Sequence, residues 1–272
     1  MALKEVHTIL VSEGNIHNMK VPDPFKFEEQ RDLAAKRHHY KKLRSLYESK
    51  IPAIKDRNTP RLWDTLNTDK NAVHAKNPME ADRLRIVTRL LRHGSILNVG
   101  CGSGKLEEMN RMKMPRWYGI DISSKSIKKA QERFPGGKFS MGNILAIHYP
   151  ECHFDYVVAL EVLEHIPPKD TFTALEQLYR VLKPQGCLII SVPMNEGLEK
   201  MITQGHNPNA HVRMYTPELI NAELKIAGFA IIWERQLFAF HHFYRLKTLL
   251  ARIVFKKKWQ PNNVIIKAKK LS

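Results

Sequence analysis

Hydrophobic positions change their period near residue 94, and the change divides the chain. After Pro24, the run FKFEEQRDLAAKRHHYKKLRSLYESK sets Leu33, Tyr40, Leu43, Leu46 and Tyr47 at helical spacings with Lys and Arg between them. That spacing predicts a helix. Pro52 and the polar run KDRNTP at 55–60 predict a break. Leu84, Val87, Leu90 and Leu91 mark a second helix over 79–92, and Gly94 stands just past its end. Beyond Gly94, short apolar runs at 95–100, 116–121, 138–142, 154–160 and 186–193 predict strands. Helical periodicity fills 104–112, 124–134 and 169–182, the last with Phe172, Leu175, Leu178, Tyr179 and Leu182 in one stripe. Near-continuous apolar strands alternating with amphipathic helices predict an α/β domain, a parallel sheet covered on both faces. Strands at 228–236 and 262–268 close the chain around an insertion at 240–258. The expected organisation is therefore a basic helical extension over 1–78 and one domain over 79–272.

Composition narrows the class. With 272 residues, 43% of them hydrophobic and 26% charged, the chain is globular and long enough for a sizeable core. Three cysteines (101, 152 and 187) are too few for a secreted disulfide framework and favour a reducing compartment. The N-terminus lacks the apolar core of a signal peptide, and no stretch approaches a membrane span. A soluble, cytoplasmic protein is expected. The net charge of +17 is uneven: residues 1–94 contribute +7, residues 95–200 only +1, and residues 201–272 +9. Such basic flanks suit RNA phosphates, anionic lipid headgroups or a charged substrate, and equally an ordinary solvated surface.

The chemistry concentrates in the nearly neutral middle. ILNVGCGSG at 96–104 runs an apolar strand into Gly100-x-Gly102-x-Gly104 and then a helix, and Asp121 ends the next strand 21 positions after Gly100. Glycines there permit a tight turn and close approach of a ligand to the backbone, and an acidic residue at that distance accepts hydrogen bonds from a ribose. The spacing fits neither the G-x-G-x-x-G fingerprint nor a P-loop. The fourth strand ends in Glu161-Val-Leu-Glu164-His165, and His206 and His211 follow the fifth. Two carboxylates and an imidazole near one helical turn, at the carboxyl end of a sheet strand, form a plausible divalent-metal set, which a fourth ligand from the later histidines would complete.

These motifs resemble those of class I S-adenosylmethionine-dependent methyltransferases, including the ubiquinone-biosynthesis O-methyltransferases, over about residues 80–270. ILNVGCGSG is similar to the family's first motif and YGIDIS to its second. GNI at 142–144 is similar to the adenine-contacting loop, FDYVVALEVLEHI to the fourth-strand motif, and LYRVLKPQGCLIISVP to the helix, turn and fifth strand. The resemblance implies a Rossmann-like, mostly parallel seven-stranded sheet whose last strand is antiparallel. It implies that Gly100, Cys101 and Gly102 lie against the cofactor's methionine part. Asp121 would hold the ribose with Ile122 beside the adenine, Asn143 and Ile144 would meet the adenine edge, and Leu160 would lie below. The family usually has an acid where Asn98 stands, and often an Asp where Asn143 stands.

The E-x-x-E-H run is similar to that of two metal-dependent branches, the ubiquinone-biosynthesis enzymes and those that methylate the 3′-terminal ribose of small RNAs. The resemblance implies Glu161, Glu164, His165 and His211 as ligands of a divalent ion such as Mg, although the same turn also occurs in members without metal. His165 and His211 are the candidate catalytic residues, as general bases or as ligands. The expected function is O-methylation of a small or lipid-like acceptor. RNA 3′-terminal ribose methylation through the basic extensions and an inactive cofactor-fold module are the alternatives. In the 240–258 insertion Phe243, Leu246, Leu249, Leu250, Ile253 and Val254 share one face and Arg245, Lys247, Arg252 and Lys256–Lys258 lie elsewhere. Such a basic amphipathic helix suits peripheral membrane contact, capping of a pocket, or packing on the sheet.

Overall fold

The computed structural model describes residues 38, 40–42, 45, 58–66, 78–110, 117–205, 207, 210–240, 242–254 and 259–271. The strands are β1 Ile96–Val99, β2 Trp117–Asp121, β3 Lys138–Met141, β4 Phe154–Leu160, β5 Leu182–Pro193, β6 Phe229–Leu237 and β7 Asn263–Lys270. They form one sheet in the order β3-β2-β1-β4-β5-β7-β6. Pairing is parallel from β3 through β5, and β7 runs antiparallel to both of its neighbours. This is the sheet that the resemblance implies.

Period-two alternation explains why the strands are apolar on both sides. Leu97 and Val99 of β1 join Val157, Ala159, Leu188 and Ile190 in one core. Their chain neighbours Ile96, Val158 and Ile189 face the other, joined by Ile265 of β7. Strand order reverses direction between β1 and β4, and the crevice beyond the carboxyl ends of such a switch point is where open α/β sheets bind ligands.

The helices are α1 Pro60–Leu66, α2 Pro78–Leu90, α3 Lys105–Met109, α4 Ser124–Arg133, α5 Thr171–Val181, α6 Leu198–Thr203, α7 Pro217–Ile226 and α8 Tyr244–Ile253. Short 3₁₀ turns cover Leu163–His165 and Pro168–Asp170. Three helices escape the sequence reading. α1 begins inside the stretch that pattern alone marks as a break, because Thr59-Pro60 is a helix start. The Thr59 hydroxyl accepts the Leu62 N–H at 3.3 Å, and proline loses nothing at the first helical position. α7 opens the same way, with Thr216 accepting from Leu219 N–H ahead of Pro217. α6 is six residues long, too short for a periodic signal.

Most of the helix expected after Pro24 lies outside the described residues; residues 38, 40–42 and 45 are helical. Tyr40 is fully buried, edge-on to Phe172, and its hydroxyl donates to Glu223 Oε1 at 3.2 Å. Glu223 in turn pairs with the buried Arg213 at 2.6 Å and with the Tyr215 hydroxyl at 3.1 Å. Among the described residues no helix is long and apolar enough to cross a membrane.

Candidate active site

The turn after β1 holds its glycines in the left-handed region, with φ of 71° at Gly100, 53° at Gly102 and 83° at Gly104. Gly100 and Cys101 both donate their N–H to the Ile120 carbonyl, tying the turn to β2. A Cβ on Gly100 would stand 2.7 Å from Val162 Cγ2, whereas one on Gly102 would meet nothing within 4 Å. Space therefore opens in front of the Gly102 backbone. Asp121, at the tip of β2, accepts the Gly102 N–H at 2.9 Å on Oδ2 and the Ser123 N–H at 2.8 Å on Oδ1. Burial pushes its carboxyl pKa up, and those two N–H donors oppose the shift. Each oxygen keeps a lone pair for a further donor.

A cavity of about 500 Å³ opens at this point. Gly100, Gly102, Asp121 and Ile122 form one wall, and Asn143 and Ile144 a second. Glu161, Val162, His165 and Ile166 form the third, and Asn58, Pro60 and Trp63 close it from α1 and the residues before it. Six of the eight candidate cofactor residues thus share one space. Cys101 and Leu160 are not among the lining residues. The Cys101 thiol is buried toward Gly119, where an added Cβ would lie 2.9 Å from its sulfur, and desolvation drives its pKa far up. Leu160 packs, half-buried, against the second core. Asn143 uses Oδ1 to accept the Leu145 N–H at 2.9 Å, closing its own loop.

Asn98, where the family usually has an acid, is buried and donates its amide to Glu107 Oε1 at 2.9 Å. A carboxyl group nine positions later, on α3, thus stands against the strand amide. Burial pushes the Glu107 pKa up to about 7, against the Asn98 bond that lowers it. Sequence reading missed Glu107 because a charge on a short helix ordinarily faces water.

The metal candidates separate into two groups. Glu161, held at a positive φ of 56°, is engaged by three partners. Oε1 accepts from Ser191 Oγ at 2.7 Å and Asn263 Nδ2 at 2.8 Å, and Oε2 pairs with Arg83 at 2.9 Å. Glu164, His165 and His211 converge instead, with ligand atoms within 4.8 Å of one another and all three residues buried. Glu164 Oε1 lies 3.9 Å from His165 Nε2 and 4.0 Å from His211 Nε2. Both Glu164 oxygens are buried without a hydrogen-bond partner. The other ring nitrogens are occupied: His165 Nδ1 faces the Ala210 carbonyl at 3.3 Å, and His211 Nδ1 faces Glu196 Oε2 at 2.7 Å. With the proton on Nδ1 in each ring, both Nε2 lone pairs point at Glu164.

Burial and the neighbouring Glu161 push the Glu164 carboxyl well above the usual range, while burial and His211 lower His165 to about 4. A buried carboxyl group with neither oxygen hydrogen-bonded, beside two imidazole Nε2 atoms, fits a cation, because leaving a buried polar group unpaired costs roughly 1–3 kcal/mol. Glu196 had no sequence signal, being an isolated acid in a loop. Trp63 had none either; its ring stands edge-on to His165 with centroids 4.8 Å apart. His206 lies outside the described residues.

Residues 72–234 match a family model described as a methyltransferase domain. The chain is 28% identical over 144 residues to the ubiquinone biosynthesis O-methyltransferase of Haemophilus ducreyi, covering 47% of this chain and 57% of that enzyme. It is 32% identical over 132 residues to the 27-O-demethylrifamycin SV methyltransferase of Amycolatopsis mediterranei, covering 43% and 47%. The chain thus spans about half the length of these curated relatives. Among solved structures, the N-methyltransferase NodS of Bradyrhizobium japonicum, in complex with S-adenosyl-L-homocysteine, superposes with a TM-score of 0.60. That match covers 79% of this chain and 100% of NodS at 16% identity, a likeness of fold.

Proposed function

The chain belongs to this methyltransferase-domain family, and from that membership we propose that it transfers a methyl group from S-adenosylmethionine to an oxygen of a small or lipid-like acceptor. The observation that supports this reading is the shared cavity. The glycine turn and the Asp121 carboxylate form one wall, and His165 of the Glu164–His165–His211 cluster forms another. S-adenosylmethionine brings a methyl group already activated on a positively charged sulfur.

The chain's own residues bind and align. The open backbone at Gly102 admits the amino-acid part of the cofactor, the free lone pairs of Asp121 accept ribose hydroxyls, and Ile122 and Ile144 flank the adenine. Alignment of an attacking lone pair supplies much of such a rate enhancement. An oxygen acceptor must also lose a proton. His165, held near a pKa of 4, is a poor base at neutral pH but a good neutral ligand. Glu164, His165 and His211 would hold a divalent cation, whose positive charge would ease loss of that proton. Glu196 orients the His211 ring, and Glu161, tied to Arg83, Ser191 and Asn263, braces the end of β4 instead of ligating. One carboxylate with two imidazoles suits zinc, a borderline ion, better than magnesium, which prefers oxygen shells; manganese, although also oxygen-preferring, binds such a set more tightly than magnesium. The open space before Gly102 disfavours an inactive module, and both curated relatives described above are named for small molecules rather than RNA.

The test is transfer of a radiolabelled methyl group to catechol- and hydroxyquinone-type acceptors, before and after EDTA, with manganese or zinc restored. Transfer that EDTA abolishes and either ion restores is expected. Glu164→Ala and His211→Ala should remove turnover while leaving S-adenosylhomocysteine affinity nearly unchanged. Turnover that survives EDTA and both substitutions would eliminate the cation; failure to bind S-adenosylhomocysteine would eliminate the whole reading.

A further inference from the structure

After Glu234 the chain carries ten Lys and Arg and no Asp or Glu. α8 lies in this segment, between β6 and β7, and its faces are reversed relative to an ordinary surface helix. Thr248 and Ala251 turn inward, 5% and 1% exposed. Tyr244 fixes the first turn by donating its hydroxyl to Asp82 on α2 at 3.1 Å. The larger apolar side chains turn outward: Phe243 is 77% exposed, Leu246 56%, Leu249 53%, Ile253 64% and Val254 61%. Leu246, Leu249 and Ile253 stand at i, i+3 and i+7, a single face. Five of the nine large apolar side chains that are exposed among the described residues fall within these twelve positions, so the exposure is a patch and not a scatter.

The charge around the patch selects its partner. Arg245 is exposed beside it, Lys247 is half-exposed, and Lys256, Lys257 and Lys258 follow in the sequence. A second copy of the chain would bring these cations against their own images. A nucleic acid would use the charge and leave the apolar stripe in water. A bilayer with anionic headgroups satisfies both. We infer that α8 is a membrane-surface helix, whose 243–254 stripe enters the headgroup–acyl boundary while the surrounding Lys and Arg engage lipid phosphates.

Topology gives this contact a direction. β6 ends and β7 begins at the carboxyl edge of the sheet, where Leu237 pairs with Asn263, and the Asn263 amide reaches Glu161 at the rim of the cavity. A docked α8 would bring that edge toward the bilayer, the orientation that an apolar acceptor needs. The inference stands on exposure and charge and does not require methyl transfer.

Co-sedimentation of the full chain with vesicles tests it, using phosphatidylcholine alone and phosphatidylcholine mixed with phosphatidylglycerol. The protein should pellet with the anionic vesicles and stay in solution with the neutral ones. The combined change Leu246→Ser, Leu249→Ser and Ile253→Ser should weaken partition roughly tenfold or more, since each removes apolar area that would enter the membrane. Melting temperature should hold, because those side chains already face water; Phe243→Ser, at the most exposed position, gives an independent reading of the same loss. Three results would overturn the inference. The wild type fails to pellet with anionic vesicles; the substituted chains pellet undiminished; or light scattering shows a dimer that the triple change dissociates.

Discussion

At the scale of single residues, the site turns on what stands in front of the backbone. Gly100 and Gly102 are two positions apart in one turn and share a left-handed φ, yet their environments differ. A side chain at Gly100 runs into Val162, while one at Gly102 enters open cavity. Gly102→Ala should therefore fold, with a backbone penalty of about 1–2 kcal/mol, and should lose S-adenosylhomocysteine binding. Gly100→Ala should lose stability as well. Melting curves paired with binding isotherms separate the two, and a Gly102→Ala chain that binds normally would show that the cofactor lies elsewhere.

Glu107 gives a second prediction. Its pKa is about 7 in the folded chain against 4.5 for an ordinary glutamate. Between those values the unfolded chain has lost the proton and the folded chain still holds it, so stability should fall as pH rises across that window. The loss should reach about 3 kcal/mol above the folded value and be absent from Glu107→Gln. Denaturant unfolding at about pH 5 and about pH 8 measures it, and equal slopes for both chains would contradict it. The glycines and Asp121 were legible in the sequence because their spacing follows from backbone geometry. Glu107 and Glu196 were not, since nothing local announces that a carboxylate is buried or that it orients a distant imidazole.

Elements divide in the same way. The strands were readable because burial on both faces leaves runs such as ILNV and YVVAL almost without polar residues. α1 was not, since seven residues carry little periodicity and a Thr-Pro pair serves both as a breaker and as a helix start. Yet α1 matters to the site. Asp64 accepts from Ser123 Oγ at 2.7 Å, Ser124 Oγ at 2.9 Å and Lys125 N at 3.1 Å, clamping α1 to the start of α4. That clamp sets Pro60 and Trp63 in the cavity wall. Asp64→Ala should raise amide exchange across 60–66 and raise the acceptor KM several-fold while leaving exchange in β1 and β4 unchanged. Unaltered protection at 60–66 would mean that packing of Trp63, and not the carboxylate, holds the helix. α8 shows the converse case. Its amphipathic spacing was plain, but the direction of its apolar face depends on what Tyr244, Thr248 and Ala251 pack against, which no local pattern encodes.

For the whole molecule, strand order decides where chemistry is placed. The reversal between β1 and β4 brings the turn after one strand and the E-x-x-E-H segment after another to one crevice, although more than 55 residues separate them in sequence. His211 joins from beyond β5, and Glu161 bonds to Ser191, Asn263 and Arg83, partners far away in sequence that no local pattern announces. The most direct test of the central claim is calorimetric titration of S-adenosylhomocysteine into the full chain and into Asp121→Ala. One-to-one binding, weakened at least about tenfold by the substitution through loss of the ribose hydrogen bonds, is predicted. No heat of binding from the intact chain, or equal affinity in the two, would contradict it.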